Sequence, residues 1–235
     1  FDDSGWEPAG RLSPPSAALV AQPTPPMRVT VDLPAAHVTA TGTGSYVFDL
    51  GQNIVGVARL TTRGASGTVI TLRHAETLAP DGSLYTANLR RAKQTDVFVL
   101  AGAGEETFEP RFTFHGFRYV EVMGLREAPA ARDLVGRAIH DDLEPTGEFE
   151  SSSELLNRLH ANLVWGQRGN FVSVPTDCPQ RDERLGWLGD AQVFARTASY
   201  CMDVAPFFTK WLRDVRDAQS VEGAFPDVAP RAVMS

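Results

Sequence analysis

The segment Ser173–Asp190 reads Ser-Val-Pro-Thr-Asp-Cys-Pro-Gln-Arg-Asp-Glu-Arg-Leu-Gly-Trp-Leu-Gly-Asp, too charged for a core and too rich in proline and glycine for a regular element. Fourteen positions from Asp177 hold four carboxylates (Asp177, Asp182, Glu183, Asp190), two arginines (Arg181, Arg184) and Trp187. Carboxylates and guanidinium groups bind neutral hydroxyls, and an indole covers the apolar face of a sugar ring. This is the mixture needed to grip and protonate a sugar. Glycoside hydrolysis calls for two carboxyl groups, one donating a proton to the leaving oxygen and one ionised. Glu183 is the candidate acid. Asp177, Asp182 and Asp190 around it favour its protonated form, while Arg181 and Arg184 favour the ionised one. Asp177 and Asp190 would accept hydrogen bonds from sugar hydroxyls, Arg181 would donate to them or orient a carboxylate, and Trp187 would stack on the ring.

A plainer reading stands beside this one. The loop could be an ion-pair network that fixes the chain at helix ends, with Asp190 capping a helix and Trp187 serving as core. Asp182 and Arg184 read as structural, because neighbours on an irregular loop seldom all face one ligand. Gly186 and Gly189 match no phosphate-loop pattern. The loop has no histidine and its carboxylates lack an EF-hand spacing, so neither a catalytic metal, a cofactor nor a structural calcium is predicted.

The elements that must position this loop fall into two kinds. Residues 12 to 27 hold five prolines and suit an extended connector, with a boundary near Arg28. From there short β-like runs recur at Val29–Leu33, Tyr46–Leu50, Val55–Thr62, Val69–Arg73, Thr95–Leu100 and Thr113–Met123, separated by turn residues. They predict an antiparallel β-sandwich. In Phe112–Val122, Phe112 and Phe114 share a face, a register shift at Gly116 predicts a bulge, and His115 reads as a structural strand residue. After Pro145 the period changes. Ser151 and Glu154 form a capping-box signature ahead of Leu155, Leu156, Leu159, Leu163 and Val164, predicting a helix that ends near Asn170. Two further helices follow from Ala191, Phe194, Ala198 and Cys201, and from Phe207, Phe208, Trp211, Leu212 and Val215 after Pro206.

The 235 residues carry a net charge of −7 without a basic run or a membrane-length apolar stretch, which argues against nucleic-acid and membrane partners. Cys178 and Cys201 read as reduced and buried. They leave the compartment open, with the cytoplasm favoured over secretion.

The run Asp-Cys-Pro-Gln-Arg-Asp-Glu-Arg-Leu-Gly-Trp-Leu-Gly-Asp resembles the hallmark segment of the bacterial α-L-rhamnosidases of glycoside hydrolase family 78. The likeness extends through Glu109-Pro-Arg-Phe-Thr-Phe-His-Gly-Phe-Arg-Tyr and Pro145-Thr-Gly-Glu-Phe-Glu-Ser-Ser, and forward to Gln219 and Pro230. Asp2-Asp-Ser-Gly-Trp resembles the end of that family's N-terminal β domain. The resemblance implies Glu183 as general acid, and Asp177, Arg181, Trp187 and Asp190 as the rhamnose subsite. It implies inversion, with a general base on a later glutamate that has no counterpart here, since Glu222 comes too soon. It also implies a rhamnose-containing glycoside or polysaccharide as partner.

The expected architecture is a multidomain β + α chain. Residues 1–28 form the tail of a preceding β domain plus connector, 29–146 an antiparallel β-sandwich, and 147–235 the first helices of an (α/α)6 barrel. A barrel of twelve helices needs roughly 200 residues, whereas 89 run from Gly147 to Ser235. A fragment is therefore expected, with exposed helix faces prone to self-association and without turnover of its own. The competing expectation is a carbohydrate-binding or scaffolding module that binds without hydrolysing.

Overall fold

A computed structural model describes residues 2–231; Phe1 and residues 232–235, at the ends of the first and last expected segments, lie outside the described residues. Proline spacing keeps the chain largely exposed and without regular elements up to Pro26. Ten strands follow. They are β1 (Met27–Pro34), β2 (His37–Gly42), β3 (Ser45–Arg63), β4 (Val69–Ala75), β5 (Thr77–Leu78), β6 (Leu84–Tyr85), β7 (Thr95–Val99), β8 (Glu105–Phe108), β9 (His115–Met123) and β10 (Leu134–Asp141). The second part holds α1 (Glu154–Asn170), the small hairpin β11 (Phe171–Val172) and β12 (Val174–Pro175), α2 (Leu188–Cys201) and α3 (Ala205–Asp217).

Eight strands join one antiparallel sheet along the path β1-β10-β3-β9-β4-β7, with β2 and β8 also on β3. The result is a sandwich-like half-barrel followed by three helices, rather than two separate packed sheets. Its spine is β3. One edge of β3 carries β9 and then β8, and the other carries β2 along its first half and β10 along its second. The runs Tyr46–Leu50 and Val55–Thr62 are thus a single bent strand. Between Asp49 and Ile54 β3 advances five residues while β9 advances two, from Tyr119 to Phe117. Gly51 takes φ +75° there, and its N–H donates to Asp49 Oδ1 at 2.7 Å. The bulge therefore lies in β3, not at Gly116 as the alternation predicted. Phe112 also departs from expectation: it has φ +60°, is fully exposed, and precedes the strand.

Inward-facing residues of the central strands, Phe48, Leu60, Leu72, Phe117, Val120 and Leu134, are buried together. Trp165 of α1 packs against the same cluster. The helix lies on β3 and β10 and ends at Asn170, as its spacing predicts. Its first turns leave an apolar face open, in line with the exposed helix faces expected: Leu155, Leu156 and Leu159 are 77%, 46% and 53% exposed, while Trp165 and Gly169 further along meet the sheet. The Ser151/Glu154 capping box does not form. Ser153 is the N-cap without a side-chain bond, and Asn157 instead holds the Ser151 backbone from both sides, accepting from its N–H and donating to its carbonyl. Phe171, Ala198, Phe207 and Met202 build a second core among the helices, where the Phe171 and Phe207 rings stack at 4.3 Å. Cys178 and Cys201 are buried free thiols.

Asp141, at the end of β10, joins the two parts. Its Oδ1 accepts the N–H of Ser173, which has φ +67°, and the carbonyl of Ser173 accepts from Lys210 of α3 at 3.3 Å. Burial pushes the Asp141 carboxyl up to about 6, against the weaker pull of the Ser173 N–H and Lys210. The folded state therefore holds a proton that the unfolded chain has released between roughly pH 4 and 6. This group's cost is complete above pH 6 and fades as the pH falls towards 4. Asp141→Asn removes the charge and keeps an acceptor for Ser173. Urea unfolding should show the variant gaining about 2 kcal/mol relative to the parent at pH 7.5, compared with the difference at pH 4.5; an equal difference at both pH values would discard the assignment.

Candidate active site

The acidic loop has no strand or helix between Thr176 and Gly186, so side chains and single backbone bonds must shape it. Thr176 anchors its start, donating both its N–H and its Oγ1 hydrogen to the Asn170 carbonyl at 2.8 and 3.0 Å. That carbonyl lies at the C-terminus of α1, where the helix has no partner to offer it. Asp177 then closes the loop on itself. Its N–H donates to the Leu185 carbonyl, and its Oδ1 accepts the Leu185 N–H at 2.9 Å.

Arg181 fills the enclosed space, donating to Asp177 Oδ2 at 3.3 Å and to Glu183 Oε2 at 3.1 Å. Glu183 gathers two more donors: Trp187 Nε1–H on Oε1 at 3.1 Å and Arg90 on Oε2 at 3.0 Å. Burial works against the Arg181 charge, but the facing Cys178, Glu183 and Asp177 outweigh it and raise its pKa. The Asp177 and Glu183 side chains are 7% and 20% exposed, so this is a partly desolvated cluster in which charge-assisted bonds are strong.

The loop takes its position from the sheet. A Cβ on Gly116 would lie 2.9 Å from Gln180 Cβ and 3.1 Å from its Cα and N, so the loop backbone rests on β9 where there is no side chain. The carboxamide of Gln94 spans the contact, its Nε2 donating to the carbonyls of Gly116 and Gln180 at 3.3 and 2.6 Å. Arg184 donates to the Phe114 carbonyl and stacks 4.2 Å above its ring, and Asp182 pairs with Arg91. Asp182 and Arg184 are thus used to dock the loop.

The structure brings Asp177, Arg181, Glu183 and Trp187 into one network. Asp190 is not in it: this residue stands exposed in the first turn of α2, with Trp187 rather than Asp190 at the N-cap. Asp190 and Asp177 meet instead on the wall of a cavity of about 580 Å³ between α1 and α2, within the usual range of small-molecule sites. Asp177 also lines a second cavity of about 360 Å³, shared by Gln52, Asn53 and Glu76 of the sheet part with Gln180 and Arg181 of the loop. Trp187 is half-buried, and its indole N–H is committed to Glu183, which is neither the pure core role nor ring stacking alone.

Asp177, Cys178 and Glu183 offer donor atoms within 4.8 Å of one another. They do not suit a metal. Arginine, tryptophan and backbone N–H groups already occupy the carboxylates, and burial pushes the Cys178 thiol up to about 11, which keeps it protonated. Arg90, Gln94 and Gly116 are the participants that the sequence reading missed. Arg90 has no motif to mark it in the sequence; in the structure its backbone takes φ +55°, a strained position.

A curved antiparallel sheet leading into helices, with a carboxylate clamped by arginines beside a cavity, defines a β + α protein. Residues 39–140 match the model of the bacterial alpha-L-rhamnosidase concanavalin-like domain, and residues 144–235 that of the bacterial alpha-L-rhamnosidase 6 hairpin glycosidase domain. An alpha-L-rhamnosidase of Streptomyces avermitilis is 55% identical over 231 residues, 98% of this chain and 22% of that protein. Another, from Formosa agariphila, is 40% identical over 98% of this chain and 25% of its own length. The crystal structure of the Streptomyces avermitilis alpha-L-rhamnosidase complexed with L-rhamnose superposes with a TM-score of 0.90, at 57% identity over 91% of this chain and 21% of that one. That of the Dictyoglumus thermophilum alpha-L-rhamnosidase gives 0.94, at 45% identity over 98% and 26%. The chain belongs to the bacterial α-L-rhamnosidase family. It spans 22% and 25% of the lengths of the two curated relatives.

Seating of the loop on Gly116 carries its own test. Gly116→Ala should lift the loop while leaving the sheet in place. Hydrogen exchange at the Leu185 amide, which Asp177 holds, is expected to rise by about tenfold, the loss of roughly 1–2 kcal/mol of local stability; unchanged protection there would show that the loop is held elsewhere.

Proposed function

We propose that this chain supplies the acid half of a glycosidase site for terminal α-L-rhamnose on glycosides or polysaccharides. Glu183 is the general acid, and Asp177, Arg181, Trp187 and Asp190 bind the sugar. The observation that carries this reading is the network that joins Glu183 to Arg181, Asp177 and Trp187 beside the two cavities that Asp177 lines, in a family whose named relatives are alpha-L-rhamnosidases; the arginines and the indole N–H favour ionised Glu183, so a contact must open before it can hold a proton. The helices α1 to α3 are read as the opening of an (α/α)6 barrel. Leu155, Val193 and Leu212, all exposed, are read as faces for further helices or for self-association. No cofactor is proposed for the reaction.

Inversion requires a base about 6.5–9.5 Å from the acid, leaving room for the attacking water. Asp177 does not qualify, since its carboxylate lies within 4.8 Å of Glu183 and both its oxygens are already acceptors. The base is assigned to no residue of this chain. Both Glu183 oxygens also act as acceptors, so proton delivery requires one contact to open. Arg90, 57% exposed at the sheet's rim, is the partner best placed to swing away. The same full occupancy favours the second reading, a carbohydrate-binding module that holds sugar without cleaving it.

Nitrophenol release from nitrophenyl α-L-rhamnoside separates the two. The 235-residue chain should bind L-rhamnose without turnover. Joined to the remaining length of the Streptomyces avermitilis relative, it should turn over. In that joined protein Glu183→Gln should lower the rate at least about 10²-fold on an alkyl rhamnoside, and less on the nitrophenyl one, whose leaving group needs less protonation. An equal loss on both substrates would remove Glu183 from the role of acid. Turnover by the isolated chain would mean that a base lies within it.

A further inference from the structure

Beside the docked loop, three adjacent strands assemble a second cluster: His74 on β4, Asp96 on β7 and His115 on β9, each offering a donor atom within 4.8 Å of the others. The two imidazoles stack at 4.2 Å. Their hydrogen bonds determine which nitrogen carries a proton. Because the Gln94 Nε2 hydrogens go to the carbonyls of Gly116 and Gln180, its Oε1 is the end that faces His115 Nδ1, which must therefore donate. His74 Nδ1 faces the Gln94 backbone carbonyl at 3.2 Å and must donate as well.

Both rings are thereby left with Nε2 turned to the same carboxylate. His115 Nε2 lies 3.0 Å and His74 Nε2 3.8 Å from Asp96 Oδ2. One proton can serve only one of these nitrogens. Placed on His115 it makes an ion pair with Asp96 and leaves His74 Nε2 without a partner in a ring that is 0% exposed.

We propose that His74, Asp96 and His115 form a divalent-cation site, with zinc the best match to two neutral imidazoles and one carboxylate. A cation would use both lone pairs at once after the stacked rings, now inclined by 26°, splay apart at their Nε2 ends. Metal-bound histidines characteristically donate the other ring N–H to a carbonyl or amide, and both rings here do so. Zinc–nitrogen bonds of about 2.0–2.1 Å in a tetrahedron place ligand atoms about 3.3 Å apart, and the observed 3.0 and 3.8 Å bracket that spacing. The adjoining cavity of about 450 Å³ is lined by His74, Gln94, Thr95, Arg73, Arg90 and Lys93. Of its three cations, Arg73 is paired with Glu121 and Arg90 with Glu183. Through Gln94 the site would brace the loop backbone at Gln180. The proposal is independent of the glycosidase reading.

The test adds zinc to the metal-free chain. Long-range proton–nitrogen spectra should show the Nε2 resonances of His74 and His115 moving together at one added equivalent, with both Nδ1–H groups retained. Equilibrium dialysis should find affinity lowered at least tenfold in both Asp96→Asn and His74→Phe. A His115 Nε2–H signal that persists unshifted with zinc would overturn the site in favour of a proton, and this measurement on the parent chain does not depend on either variant folding. Zinc held equally well by both variants would place it elsewhere and overturn the site too.

Discussion

An irregular loop holds a fixed shape only if something regular imposes one, and here the imposing surface is the face of β9 at Gly116. Eleven residues without secondary structure lie between Thr176 and Gly186. Their backbone polar groups and charges are satisfied by a few contacts: Asp177 to Leu185 within the loop, and Gln94, Arg90, Arg91 and Phe114 from the sheet. The Gln94 carboxamide is central because its three polar bonds are mutually dependent. Its amide hydrogens fix the loop, and its oxygen then fixes the tautomer of His115. A glutamate in its place would lose both donated bonds.

Glu183 shows how such a scaffold holds a carboxylate largely away from bulk water. Its donors come from three places: Arg90 from the sheet part, Arg181 from the loop, and Trp187 from the start of α2. No single element orients it. Charge-assisted bonds of this kind are strong when partly desolvated, and their geometry is held by elements that are themselves well packed. The cavity that Asp177 and Asp190 line opens beside this network, with the sheet contributing Gln52, Asn53 and Glu76 to the neighbouring wall.

Much of the fold could be read from local pattern. The helices α1, α2 and α3 follow from 3.6-residue periodicity, and most of the long strands from runs of β-branched and aromatic residues. β10 escaped because its inward positions are Leu134, Gly136, Ala138 and His140, which give little hydrophobic signal even though they are buried. The bend in β3 looked like a turn because Gly51-Gln52-Asn53 has turn composition, while the pairing with β9 that carries the strand through it is non-local. What failed at the start of α1 was its cap: Asn157 took the Ser151 backbone that the Ser151/Glu154 pair was expected to hold. In the loop that composition picked out, Asp177, Arg181, Glu183 and Trp187 lie in one network, while Asp190 stands apart in the first turn of α2. Arg90 and Gln94 were hidden because they reach Glu183 and Gln180 across 93 and 86 residues of sequence.

Arg90 also blurs the division of the chain into modules. The matches to two domain models meet between residues 140 and 144, yet an ion pair crosses from one side to the groups at the centre of the other. The half-barrel is therefore more than a platform, since it owns part of the electrostatic surroundings of Glu183. Exchange of the sheet part between relatives would transplant that part of the charge balance with it. A change of charge at either residue 90 or residue 183 leaves the other without its partner, so the electrostatic unit crosses the boundary at which the two matches meet.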